Sequence, residues 1–141
     1  MVIQRWQSLL LLAAAVLMGL SMFVDFAGIA GEAGTVMTLS AIDGFIGLTI
    51  AASMTALLYV VDIFLYSTFK TQKSVLKIGY FFNVVTLGLL AYHIFTAATP
   101  GQSIVWKAGC IFPVLGLILA IMAMSRIRHD ERLLKSADRL R

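Results

Sequence analysis

Four apolar stretches, 8–26, 44–66, 78–97 and 104–124, each approach or exceed the roughly 20 residues that a helix needs to cross a ~30 Å hydrocarbon core. They take up most of a 141-residue chain and leave no length for a second domain. The predicted class is therefore all-α: an integral-membrane bundle of four transmembrane helices over 1–124, followed by an amphipathic C-terminal helix over 125–141. An ordinary soluble domain is excluded, because 60% of the residues are apolar, 13% are charged and the mean hydropathy is +0.94.

Charge then sets the orientation. Of the 11 Lys and Arg residues, only Lys107 falls outside three places: Arg5 before the first span, Lys70, Lys73 and Lys77 after the second, and the segment after the fourth. Basic residues stay on the cytoplasmic side, so both termini are expected in the cytoplasm and the connections 28–40 and 98–103 outside. The first apolar run is longer than a signal-peptide core, which argues for a retained helix rather than a cleaved leader. Cys110, the one cysteine, excludes an internal disulfide and reads as a small buried hydrophobe of the fourth span.

Along the chain, Trp6 reads as an interfacial anchor, and Ala15 with Gly19 gives the small-residue spacing that lets a neighbouring helix come close. The outer connection carries Gly28, Gly31, Glu32 and Gly34 and is expected to be a short flexible loop. Ser40 is a candidate cap for the second helix, with Asp43 in its first turn. Helical spacing places Gly44, Ala51, Thr55, Tyr59, Asp62 and Tyr66 on one stripe of the second span. A matching stripe on the third holds Gly79, Asn83, Thr86 and His93.

Taking 70–77 as a basic turn, Asp62 lies about 12 Å and Asn83 about 9 Å from it, which puts them at similar depth. Thr55 and His93, each about 22–24 Å away, would form a second polar level. An ionised Asp62 facing lipid costs roughly 2.5–3.5 kcal/mol, so it is expected to be paired, wetted or protonated. Two readings stay open for the cluster Asp62, Asn83, Thr86, Thr55 and His93: structural hydrogen bonding between helices, or a proton relay. No metal and no cofactor are expected, since His93 has no second His or Cys at ligand spacing.

Pro100-Gly101 signals a tight turn, and Gly109, Gly116, Ala120 and Ala123 share a face of the fourth span, where Pro113 is a candidate kink. The tail 125–141 has Arg126/Asp130 and Glu131/Lys135 at i, i+4 spacing, with Ile127, Leu133, Leu134, Ala137 and Leu140 on its apolar side. Its Arg126, Arg128, Arg132, Lys135, Arg139 and Arg141 against Asp130, Glu131 and Asp138 make a basic surface for anionic lipid or a protein partner. Nucleic acid is a poor fit, because acids interrupt the patch and no aromatics accompany it.

The opening Gln4-Arg5-Trp6-Gln7 before a Leu/Ala-rich span, the basic segment after the second span, and the closing run from Asp130-Glu131-Arg132-Leu133 to Lys135-Ser136-Ala137-Asp138-Arg139-Leu140-Arg141 resemble one family. It is the small four-helix membrane-protein family named domain of unknown function 4293, of the Bacteroidota. The resemblance implies an inner-membrane location and carries no catalytic residues. The expectation is a non-enzymatic interaction or scaffold component that meets a protein or anionic lipid through its tail, with a homo-oligomer left open. The rival is a small-solute or proton-coupled transport component using Asp62, Asn83 and His93.

Overall fold

Large apolar side chains and small or polar ones alternate at helical spacing along the four runs, so each run can turn one face inward and leave the other to lipid. A computed structural model describes residues 2–31, 34, 36–42, 45–65 and 67–138, with the side chains of 2–5, 36 and 138 left aside. Its helices are α1 (Val2–Phe23), α2 (Ile46–Phe64), α3 (Phe69–Ala97) and α4 (Ile111–Asp138). All four are long and apolar enough to cross a membrane. Three short strands accompany them, β1 (Ala27–Ala30), β2 (Val36–Leu39) and β3 (Ser103–Trp106), with a 3-10 turn at Ala108–Cys110.

The helices run up and down in a ring: α1 packs on α2 and α4, α2 on α3, and α3 more sparingly on α4. Inside lie Leu11, Ala14, Ala15 and Met18 of α1, Tyr59 of α2, Leu76 of α3, and Ala120, Ala123 and Ile127 of α4. Outside are Leu9, Leu12, Val16, Leu20 and Phe23 of α1, with comparable rows on α2, α3 and α4. These apolar outer faces are consistent with a multi-pass membrane protein. Gly116 permits the α1–α4 contact, since a Cβ there would lie 3.3 Å from the Met18 sulfur. Gly19 opens onto empty space, so the small-residue contact uses Ala15 without it.

The expectation of a flexible outer loop is corrected: β1 is the centre of an antiparallel sheet of order β2-β1-β3. Ala27 stands opposite both Leu39 and Trp106, and Ala30 opposite Val36 and Ser103. The glycines concealed this. Gly34 does take the turn conformation, at φ 74, but the strands beside it are 4 residues long and the partner β3 comes from a distant part of the chain. Pairing on both sides satisfies the backbone groups of β1, which is buried beneath its neighbours.

Other boundaries move as well. Residues 70–77 are the opening turns of α3, not a turn between helices; the connection follows Leu65, and Thr68 is the N-cap. The fourth helix begins at Ile111 because the first residues of the predicted span form β3 and the 3-10 turn. Pro113 therefore sits in the first turn of α4, where the missing N–H costs no bond within the helix. Cys110 belongs to that 3-10 turn, half-buried, with its thiol donating to the Lys107 carbonyl at 3.0 Å. Ser40 does not cap α2, whose N-cap is Phe45. Glu32, Asp43, Gly44, Tyr66, Arg139, Leu140 and Arg141, and the side chains of Arg5 and Asp138, lie outside what is described.

Candidate functional site

Because α2 and α3 are joined just after residue 65, their levels pair differently from the count made on a turn at 70–77. Tyr59, not Asp62, meets Asn83: the Asn83 amide donates to the Tyr59 hydroxyl at 3.1 Å and approaches the Met18 sulfur at 3.4 Å. Gly79 makes room for the Tyr59 ring, since a Cβ there would lie 2.8 Å from Tyr59 Cε1. Asp62 lies one level nearer the basic end, where the Gln72 amide donates to the Asp62 backbone carbonyl at 3.4 Å.

Asp62 is 0% exposed, and among the described residues neither of its carboxylate oxygens has a hydrogen-bond partner. The Gln72 Oε1 and Asn83 Oδ1 atoms are likewise buried without one. Of the ways expected to accommodate Asp62, pairing with Asn83 or Thr86 is not seen. Thr55 and Thr86 turn back on their own helices, donating to Ala51 O and Phe82 O at 2.8 Å each, which uses their one hydroxyl hydrogen and leaves none for the Asp62 carboxylate. His93 is not part of a second polar level. Its ring stacks on Phe45 at 5.0 Å and meets Phe26 edge-on at 6.0 Å, under the sheet.

At the basic end, α4 continues through residue 125 without a break, with Asp130 buried and Glu131 half-buried. Asp130 accepts from the Gln7 amide of α1. Glu131 is bound by Lys73 of α3 at 2.5 Å and by Lys135 at 2.9 Å. Those two ammonium groups hold the Glu131 carboxyl well below the usual carboxylate range, at about 2. The i, i+4 pair Glu131/Lys135 forms as spaced, whereas Asp130 takes Gln7 in place of Arg126. Ile127 is buried against the bundle, while Leu133 and Leu134 are exposed.

With the acids occupied, Arg126, Arg128 and Arg132 are exposed and make no ion pair among the described residues. Between α3 and α4, along the thinnest seam of the bundle, a cleft of about 390 Å³ opens. Tyr80, Ile121 and Met124 form its apolar side, and Ser125, Arg128, His129 and Arg132 its polar side. Tyr80 is fixed by donating to the Ala120 carbonyl at 2.8 Å. Sequence reasoning singled out the arginines but not Gln72, Tyr80, Ser125 or His129. Gln72 was hidden by placing it in a turn, and the others become visible only once α3 is laid beside α4.

Lys107, the one basic residue at the sheet end, is matched by Asp25 at 2.8 Å. Among the described residues no group of three or more His, Cys, Asp or Glu comes together that would hold a metal ion.

The family model described as Domain of unknown function (DUF4293) matches residues 3–140, and the chain belongs to that family. No curated protein and no solved structure matches the chain.

Proposed function

We propose that this protein is a non-enzymatic component of the cell inner membrane, with both termini cytoplasmic, that engages an acidic surface of a protein or lipid through the basic end of its bundle. One observation carries the reading: Glu131 is paired with Lys73 and Lys135 and Asp130 is turned in against Gln7, while Arg126, Arg128 and Arg132 are exposed and make no ion pair among the described residues. An anionic leaflet rewards each such residue by about 1 kcal/mol, and an acidic partner does so by the same Coulombic attraction. The test is affinity capture of the full chain from native membranes beside Arg126→Gln/Arg128→Gln/Arg132→Gln/Lys135→Gln, with associated proteins and lipids identified by mass spectrometry. The variant should lose them; identical profiles would end the proposal. Truncation at Met124 is the poorer test, because it removes Ile127, Asp130 and Glu131 from the packing.

A second reading, a proton-coupled transport component, is favoured by the fully buried Asp62, whose two carboxylate oxygens have no hydrogen-bond partner among the described residues. It no longer includes His93, which is held among Phe26 and Phe45. Asp62→Asn would abolish pH-driven flux in proteoliposomes and leave the fold intact; a broad solute screen without flux in the parent protein would count against it.

A further inference from the structure

Within the basic end, we propose that the α3–α4 cleft is a binding site for the phosphate headgroup of one anionic phospholipid, held by Arg128 and Arg132. The inference rests on the reading of that end as the interacting one. Ser125, Arg128, His129 and Arg132 follow i, i+3, i+4, i+7 spacing and line one wall of the cleft over about 10 Å of helix. Arginine presents a planar fork that suits phosphate oxygens, and two of them one turn apart can share a single phosphate. Neither has an ion pair among the described residues, and the neighbouring acids are already bound by Gln7, Lys73 and Lys135.

The cleft also has a direction. Ile121, Met124 and the Tyr80 ring continue its wall toward the apolar stretch of α4, so charge lies at the membrane boundary and apolar surface on the bilayer side. A phospholipid has that arrangement of headgroup and chain, whereas free phosphate has no use for the apolar wall and a protein segment would have to enter the bilayer boundary. A volume of about 390 Å³ lies within the roughly 300–1,000 Å³ of small-molecule sites, enough for a headgroup.

The experiment is native mass spectrometry of the full chain released from nanodiscs containing equal phosphatidylglycerol and phosphatidylcholine. One phosphatidylglycerol should be retained per chain in preference to phosphatidylcholine, and Arg128→Gln/Arg132→Gln should lower that retention by at least about fivefold. Lys70→Gln/Lys77→Gln, which removes the same charge from the opening turns of α3 outside the cleft lining, should leave it within about twofold, and millimolar inorganic phosphate should not displace the lipid. Equal loss in both double variants would overturn the site while sparing the broader reading of a basic interacting end. Displacement by inorganic phosphate would overturn the lipid assignment. Unchanged retention in all variants would overturn the site and weaken the broader reading with it. Thermal unfolding of each variant in the same detergent separates lost binding from lost fold, and Arg132→Lys, which keeps the charge, should recover part of the retention.

Discussion

Tyr59 is held by what its neighbours lack. Gly79 leaves the space for its ring and Asn83 supplies its hydrogen bond, so Gly79→Ala should displace the ring and destabilise the bundle by about 1–3 kcal/mol, read as a lowered unfolding temperature in detergent. Asn83→Leu removes the interhelical bond itself and should cost less, about 0.6–1.7 kcal/mol. Asp62 behaves oppositely. A buried carboxylate without a donor is unfavourable, so Asp62→Asn should leave the unfolding temperature unchanged or raise it; a drop of several degrees would show that the carboxylate is a structural bond after all. The stripe of Ala51, Thr55, Tyr59 and Asp62 was legible from spacing because helical periodicity is local. Their partners were not, since they depend on where the chain turns between α2 and α3.

Among the elements, the junction between sheet and α4 is the tightest. A Cβ on Gly109 would lie 2.6 Å from the Val24 and Asp25 carbonyl oxygens, and backbone cannot swing aside as a side chain can. Gly109→Ala should therefore cost more than Gly116→Ala, whose Cβ would meet the flexible Met18 side chain; comparing their unfolding temperatures checks this. At the other end, Glu131 joins α4 to α3. Its folded pKa is depressed from 4.5 to about 2, so its contribution is full above pH 4.5 and lost as pH falls toward 2. Thermal unfolding followed over that range should show a decline that Glu131→Gln flattens. The strands escaped sequence reading because 4-residue strands carry too little pattern and β1 pairs with a strand from a distant part of the chain.

For the whole molecule, length and hydropathy were enough to indicate four membrane-length helices, since the bilayer imposes one size on anything that crosses it. The basic cleft required the third dimension: Tyr80 and Arg128 are far apart in sequence and meet only along the α3–α4 seam. The central claim is that the bundle crosses the inner membrane with its basic end in the cytoplasm and its sheet end outside. Single cysteines on a Cys110→Ala background test it, placed at Gln102 and Ser136, both exposed and at opposite ends. With a membrane-impermeant maleimide on spheroplasts, Gln102→Cys should label at once and Ser136→Cys only after permeabilisation. Labelling of Ser136→Cys in intact spheroplasts, or of both from the same side, would contradict the account.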